Sequence, residues 1–408
     1  MNLSKWRLQK TLALGAILVA ISGPSRAADE KPVLIGEINS YAPLPQFTGP
    51  YRNGWQLAVE EANASRGPND RLIQVTSRDD NGKPDEAILI ANEMLNNQKI
   101  DVLTGGFLSH IGLAMSDFAL RNKLVFVAAQ PMTDALVWEK GNRYTFRVTP
   151  STNMQIMMLV DQAAKMPAKR WATIANNYEF GQVAVASFKA QLKAQRPDVE
   201  FVGEQWPALG KLEAGSTVQA LSAIKPDAIF SMLFGAELNR FVREGNQRDL
   251  FKGREVINLQ TGCPEFLDAL KAETPKGWIV TGYPWEQIKT PEHVAFVDVY
   301  RKKYNDYPRC GSIIGYTTMK AIIAGIRKAG STDPEQLIPA LRGISIISPF
   351  GPVSFRPQDQ QLTLGTYVGR LDMKNGAGLM VDWVYSDGKN FQPPDDFVKS
   401  KRPVEATR

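Results

Sequence analysis

A serine occupies a position where a binding site for an anion is expected. Ser109 follows the short apolar run 101–104 and the pair Gly105-Gly106, and it precedes a stretch with helical periodicity. In an open α/β sheet, ligands bind at the carboxyl ends of strands, beside the N–H groups of helix N-termini. The Ser109 hydroxyl and these backbone groups are therefore suited to a buried anion. A second interpretation stays open at this point, in which Ser109 only caps its own helix.

Residues that could carry out catalysis are few. His110 and His293 are the only histidines, so the chain offers few residues for a metal cluster or a Ser-His-Asp triad. The sequence contains no G-x-S-x-G elbow, and the first strand lacks the glycines of a dinucleotide site. His110 is interpreted as a loop or helix-start residue. We therefore expect no enzyme activity, no cofactor and no metal.

Strand and helix patterns alternate along most of the chain. One series of strands and helices runs from residue 33 to 148, and a second runs from 153 to 281. Three helical stretches follow at 291–304, 312–328 and 333–342, and the tail reads as strands separated by turns. Two consecutive series of this kind predict two doubly wound α/β domains, each with a mostly parallel sheet.

The N-terminus has the pattern of a secretory signal peptide. Lys5, Arg7 and Lys10 precede the apolar run 11–21, and Ser25-Arg26-Ala27 supplies a small-x-small cleavage site. The apolar run is too short to span a membrane. We predict cleavage after Ala27 and export of the remaining chain, with an uncleaved anchor as the alternative.

Charge and cysteine content bound the class of protein. The whole chain has 48 basic and 42 acidic residues, and removing the four basic residues of the predicted signal leaves 44 − 42, or +2. This balance gives no reason to expect a nucleic-acid or membrane-surface partner. Cys263 and Cys310 are the two cysteines. Export would place them in an oxidising compartment, but the sequence leaves open whether they form a disulfide.

Six short motifs occur in a fixed order along the chain: Gly36 in the first strand, 54–63 (GWQLAVEEAN), 78–82 (RDDNG), 104–109 (TGGFLS), 177–181 (NYEFG) and 314–316 (IGY). In their order and spacing, these segments resemble the periplasmic solute-binding proteins of ABC importers, of the branched-chain amino acid (Leu/Ile/Val) type. The resemblance covers essentially the whole chain after residue 27. It implies two Rossmann-like lobes joined by a three-crossing hinge, with a ligand cleft between them that closes on the ligand. The implied division is 28–149 plus 284–350 for the N-terminal lobe, and 150–283 plus 351–408 for the C-terminal lobe.

The resemblance also assigns ligand-binding residues. Ser109 matches the family serine that receives the ligand carboxylate, and Gln130, Pro131 and Met132 match the loop that adds polar contacts. Met132 departs from the family, which often has a hydroxyl residue there. The remaining matches are aromatic: Tyr178 as a second-lobe residue over the ligand, Phe234 near another such position, and Phe47 in the first loop.

One expected residue is missing. The family's acidic residue for an α-ammonium group should fall between 259 and 262, where this chain has Gln260 and Thr261. Glu286 is an alternative from another segment. Because neutral side chains cannot neutralise a buried cation, we expect the ligand's amino group to be dispensable. Trp285, Tyr316 and Phe107 are further candidate cleft aromatics, with Phe107 and Phe234 equally open to interpretation as core residues.

These observations predict a periplasmic, monomeric binding protein that captures a small apolar or aromatic carboxylate and delivers it to an ABC permease. A ligand sensor that feeds a receptor or regulator is the alternative. An exported hydrolase would need a nucleophile and a base that the sequence does not offer.

Overall fold

The computed structural model describes residues 31–67 and 69–403, so the predicted signal peptide lies outside the described residues. Two separate sheets organise the chain. The first is all-parallel with the strand order β2-β1-β3-β4-β5. Its strands are β1 (Val33–Asn39), β2 (Ile73–Asp79), β3 (Val102–Gly105), β4 (Val125–Ala128) and β5 (Thr145–Arg147).

The first lobe is a sheet covered by helices on both faces, and its strands show why. Along β4, Val125 and Val127 pack into the core on one face, whereas Phe126 and Ala128 pack into the core on the other. Strands that are buried on both faces have continuous apolar sequences, and this pattern predicts such strands from the sequence. The helices of this lobe are α1 (Pro45–Ala64), α2 (Pro84–Glu93), α3 (Ser109–Asn122), α9 (Pro291–Tyr304), α10 (Cys310–Ala329) and α11 (Pro334–Leu341).

The second lobe is built around a seven-stranded sheet with the order β14-β13-β10-β9-β8-β6-β7. Five of its strands are parallel, and two antiparallel strands from the tail extend one edge. The strands are β6 (Arg170–Ala175), β7 (Glu200–Gln205), β8 (Ala228–Met232), β9 (Glu255–Gly262), β10 (Ile279–Gly282), β13 (Thr366–Lys374) and β14 (Ala377–Ser386). The helices are α4 (Thr152–Ala163), α5 (Glu179–Gln195), α6 (Ala214–Ile224), α7 (Gly235–Gln247) and α8 (Pro264–Leu270). The prediction of two doubly wound α/β lobes is confirmed.

The chain passes between the lobes after β5, after β10 and before β13. The third passage differs from the boundary expected at residue 350. Strand β12 (Gly351–Ser354) pairs with β11 (Ser345–Ser348), and Phe355 and Leu362 belong to the first lobe's core. Gln361 also bridges to Arg147 of β5. Pairing with the first lobe therefore holds the chain there for about another ten residues.

The C-terminal segment returns to the first lobe. Helix α12 (Asp395–Lys401) packs Val398 against Val137 and Trp138. The buried Arg402 guanidinium donates to the carbonyls of Val137 and Asn142 at 2.6 and 2.9 Å. The end of the chain thus departs from its expected place in the C-terminal lobe, because these contacts lie on first-lobe residues. Across the described residues, no helix combines the length and the apolar character needed to cross a membrane.

Candidate ligand-binding site

A cavity lies between the lobes, with an empty volume of about 620 Å³ that is partly open to solvent. It collects residues from the ends of strands in both sheets. The lining residues are Phe47, Phe107, Ser109, Gln130, Met132, Thr149, Tyr178, Phe180, Phe234, Gln260, Cys263, Glu265, Phe266, Cys310, Gly311 and Ile314.

Ser109 is held at the start of α3, at the carboxyl end of β3. Gly105 and Gly106 make the turn between them with φ values of +109° and +78°, a region that favours glycine. Leu108 is the N-cap residue and makes no side-chain cap bond, while the Ser109 hydroxyl accepts from the Thr133 N–H at 3.3 Å. Ser109 therefore does not cap its helix. Its hydroxyl is buried beside a helix N-terminus, in a setting that suits an anion.

The loop after β4 forms the rest of this corner. Gln130 accepts a 3.2 Å bond from the Asn39 side-chain amide through Oε1, which leaves the Gln130 NH2 group to donate. The Met132 sulfur lies 3.4 Å from the Gln260 amide nitrogen of the second lobe. Pro131 does not line the cavity, because it packs into the space that the missing side chains of Gly106 and Gly112 leave open.

A buried arginine that the sequence reasoning missed supports this loop. The Arg147 guanidinium donates to the carbonyls of Met132, at 3.2 Å, and Thr133, and it lies 4.0 Å from Asp134. Burial lowers the pKa of Arg147 to about 10, so it remains a cation at neutral pH. Burial likewise raises the pKa of Asp134 to about 6. The loop geometry therefore depends on a charge pair behind it.

Aromatic rings from both lobes form the apolar walls of the cavity. The Phe47 ring of α1 lies 5.3 Å from Phe107, 6.4 Å from Phe234 and 5.1 Å from Phe266, centroid to centroid. Phe107 and Phe234 are half-buried, and they both line the cavity and pack on the cores. Phe107 and Phe234 are therefore both cleft residues and core residues, so each of the two interpretations is partly correct.

Tyr178 brings the second lobe onto the first. It lies just before α5, with its ring 5.9 Å from that of His110, edge to face. Burial raises the pKa of Tyr178 and lowers the pKa of His110, so both side chains are neutral at neutral pH. Next to this contact, the Thr133 hydroxyl donates to the Glu179 carboxylate at 2.6 Å. The lobes are therefore in direct contact across the cleft.

Gln260 reaches the cavity from β9 through an unusual backbone conformation. Its φ is +65°, which residues other than glycine, asparagine and aspartate seldom adopt. The Gln260 N–H donates to the Thr281 hydroxyl at 2.8 Å, and the ladder between β9 and β10 shifts register nearby. Positive φ values cluster at functional sites, and here the conformation places an amide in the cleft.

A carboxyl group lines the cavity where none was expected. Residues 259–262 contain no acid, but Glu265 on α8 is 6% exposed and accepts from the N–H groups of Gly311 at 2.8 Å and Cys310 at 3.2 Å. Burial raises the pKa of Glu265 to about 7, against the opposing effect of these bonds. The expected segment 259–262 indeed has no acid, but Glu265, three residues beyond it, gives the cavity a carboxyl group that the sequence reasoning missed. The sequence signal that could have identified Glu265 is the one used for Ser109: a polar residue at the start of a helix that follows a buried strand.

Three other candidates lie away from the cavity. Trp285 stacks on Tyr307, with centroids 4.8 Å apart and planes 4° apart. The Tyr316 hydroxyl donates to Glu61 of α1 at 2.5 Å, since that face of α10 packs on α1. Glu286 is exposed. Trp285 and Tyr316 each have a partner outside the cleft, Glu286 faces solvent, and none of the three lines the ligand cavity.

The two cysteines form a disulfide that is part of the cavity wall, with Cα atoms 5.8 Å apart. Together with Glu265 they make a cluster whose ligating atoms lie within 4.8 Å of one another. Metal binding by cysteine requires thiolates, and sulfurs bonded to each other do not supply them. We therefore interpret the cluster as part of the cavity wall.

Residues 41–377 match the family model described as periplasmic binding protein. The chain belongs to this family. The periplasmic binding proteins are solute-binding transport proteins, and the resemblance to their branched-chain amino acid type, read from the motifs, is confirmed.

Individual members of the family match over nearly the whole chain. The chain is 25% identical to the leucine-, isoleucine-, valine-, threonine- and alanine-binding protein of Pseudomonas aeruginosa, over 86% of this chain and 91% of that protein. It is 22% identical to the Leu/Ile/Val-binding protein of Escherichia coli K12, over 85% and 92%.

Solved structures share the fold. A solute-binding protein from Rhodopseudomonas palustris BisB5, in complex with 3,4-dihydroxybenzoic acid, superposes with a TM-score of 0.79 at 22% identity, covering 90% of this chain and all of that one. A second R. palustris solute-binding protein, in complex with benzoate, superposes with a TM-score of 0.78 at 19% identity. The match covers 88% of this chain and 97% of that one.

Proposed function

We propose that this chain is the solute-binding component of an ABC importer that captures a small aromatic or apolar carboxylate in the periplasm and delivers it to an inner-membrane permease. The observation that carries the proposal is the cavity itself, in which aromatic rings from both lobes surround a buried serine at a helix N-terminus. An apolar pocket with a few convergent polar groups is the usual form of a small-molecule site. Export with cleavage after Ala27, a monomeric state and the absence of enzyme activity belong to the same proposal.

In this proposal, the ligand carboxylate binds at the first-lobe corner formed by Ser109 and Gln130. There the Ser109 hydroxyl, the Gln130 NH2 group and the N-terminus of α3 can all donate hydrogen bonds to an anion. The Glu265 carboxyl disfavours a second anion and favours a group that can donate, such as a phenolic hydroxyl or an ammonium. Relatives that bind aliphatic amino acids and fold neighbours that hold hydroxybenzoates are both compatible with this polarity.

The ring-lined walls favour an aromatic body over an aliphatic one. Aromatic pairs at centroid distances of 4.5–7 Å contribute about 0.5–1.5 kcal/mol beyond their buried area. Phe47, Phe107, Phe234 and Phe266 already show such spacings among themselves. A planar ring between them would extend this packing. A hydroxybenzoate therefore fits the site better than leucine does.

Isothermal titration calorimetry tests the proposal with benzoate, 4-hydroxybenzoate, 3,4-dihydroxybenzoate, phenylalanine and leucine. We expect saturable one-to-one binding of at least one aromatic acid, tighter than that of leucine. A preference for leucine over every aromatic acid would contradict the aromatic assignment. The absence of binding by all five would contradict the proposed ligand class.

A further inference from the structure

The disulfide between Cys263 and Cys310 joins the two lobes. Cys263 follows β9 and precedes α8, a helix that packs on β9 and β14 of the second sheet. Cys310 is the first residue of α10, which packs along α1 and against α11 in the first lobe. The bond therefore crosses from lobe to lobe, in addition to the three passages of the main chain.

The disulfide lies between the ligand cavity and the hinge. Both cysteines line the ligand cavity, and both also line a smaller neighbouring cavity with an empty volume of about 410 Å³. That second cavity includes residues from all three passages of the chain. These are Thr149 and Pro150, Gly282, and Leu364, Gly365 and Thr366.

A carboxylate reinforces the same junction without a covalent bond. Glu265 belongs to α8 of the second lobe, and its two oxygens accept from the N–H groups of Cys310 and Gly311 at the start of α10 in the first lobe. The first N–H groups of a helix have no partner within the helix, so an acceptor there is favourable. Glu265 is only two residues from Cys263, so the disulfide keeps this acceptor within reach.

We propose that the Cys263–Cys310 disulfide is a positioning element that limits how far the cleft opens. A disulfide confines its two Cα atoms to within about 7 Å of each other. Opening of the lobes can therefore separate contacts such as Thr133 with Glu179, but it cannot separate α8 from the start of α10. Consequently, Glu265, Gly311 and the disulfide remain one wall in the open and closed states.

Small-angle X-ray scattering of the ligand-free protein tests the proposal. The wild type and the double variant Cys263→Ser/Cys310→Ser are compared after exhaustive dialysis, well below the melting temperature of each. We expect a larger radius of gyration for the double variant than for the wild type, whose compact fold predicts roughly 21 Å. Equal or smaller values in the variant would overturn the proposal.

Thr133→Val is the matched control. It removes a hydrogen bond between the lobes that exists only when they touch, and it leaves the disulfide in place. The radius of gyration of ligand-free Thr133→Val should equal that of the wild type. An increase as large as that of the double variant would show that any interlobe contact limits opening, and would overturn the specific role of the disulfide.

The wild type in dithiothreitol provides a second route if the double variant does not fold. The chain has two cysteines, so alkylation followed by mass spectrometry reports reduction as a change from zero to two labels. The fully reduced, folded protein should show the same expansion, and no expansion would count against the proposal. Because these readouts use ligand-free protein, they are independent of whether any aromatic acid binds.

Discussion

The first-lobe and second-lobe walls of the cavity are built in different ways. In the first lobe, Ser109 is the first residue of α3, Gln130 lies on the loop after β4, and buried Arg147 holds that loop from behind. In the second lobe, Gln260 and Glu265 reach the cavity as single side chains from β9 and α8. The first wall combines side-chain donors with the backbone N–H groups of a helix N-terminus, whereas the second wall presents the Gln260 amide and the Glu265 carboxyl group.

This difference suggests a division of roles. The first wall presents donors, namely the Ser109 hydroxyl, the Gln130 NH2 group and helix N–H groups, which suit any carboxylate. The second wall presents a carboxyl group and a neutral amide, which distinguish ligands by what they carry elsewhere. Anchoring is therefore expected of the first lobe and selection of the second. The following predictions test this division, from the largest expected effect to the smallest.

Arg147→Met tests the scaffold of the first wall. We expect the free energy of unfolding to fall by about 3–5 kcal/mol, because Asp134 loses the cation beside it in a buried environment. Chemical denaturation measures the change. Arg121→Met on the exposed face of α3 is the control, since its ion pair with Asp117 lies in solvent and contributes less than about 1 kcal/mol. Equal losses in the two variants would contradict a scaffold role for Arg147.

Glu265 predicts a pH dependence of stability. Its pKa in the folded protein is raised from 4.5 to about 7, so the folded state keeps a proton that the unfolded state has lost. Stability should therefore fall as pH rises from about 4.5 to about 7, by on the order of 3 kcal/mol from this group.

Unfolding free energies measured across this range for the wild type and Glu265→Gln isolate the contribution. Glu37, whose pKa is raised to about 8, and Asp134 change the slope in the same direction in both proteins, so the difference between the two curves reports Glu265. Parallel curves would show that the Glu265 carboxyl titrates normally.

Ser109→Ala tests the anchor. Loss of a hydrogen bond to a charged group should weaken binding of an aromatic acid by roughly 1.5–3 kcal/mol in calorimetry. Ser116→Ala, on the same helix, removes a buried hydroxyl that bonds Thr145 and Asn142 away from the cavity. This control should lose stability and keep its affinity. An equal effect of the two variants on affinity would remove Ser109 from the binding site.

The sequence was informative where the chain itself determines geometry. Apolar strands buried on both faces revealed both sheets, and the rule that ligands bind at strand ends located Ser109. The aromatic positions Phe47 and Tyr178 also reach the cavity. They follow from the order of motifs, because the topology of the family fixes which segments face the cleft, although Phe47, expected in the first loop, lies on α1.

Other features depend on contacts between distant segments. The role of Arg147 requires knowing that β5 lies behind residues 132–134, and the contact of Glu265 with α10 requires knowing that α8 meets the start of that helix. The expectation that Trp285 and Tyr316 line the cleft was wrong for the same reason. Trp285 stacks on Tyr307, and Tyr316 bonds Glu61, both outside the cavity. The return of α12 to the first lobe likewise has no local signal.

The finest test of the division concerns selection by the second wall. If the ligand carboxylate lies at Ser109, the Glu265 carboxyl group can accept a further hydrogen bond from a hydroxyl elsewhere on the ring, while benzoate offers no such group. Glu265→Gln should therefore weaken 4-hydroxybenzoate by about 0.5–1.5 kcal/mol, the usual net value of one hydrogen bond, and leave benzoate nearly unchanged. Titration of both acids into the wild type and Glu265→Gln measures the interaction free energy between the Glu265 carboxyl group and the ligand hydroxyl. An equal loss for the two acids would mean that Glu265 serves only to hold α10, and that selection, if any, comes from Gln260 and the aromatic rings.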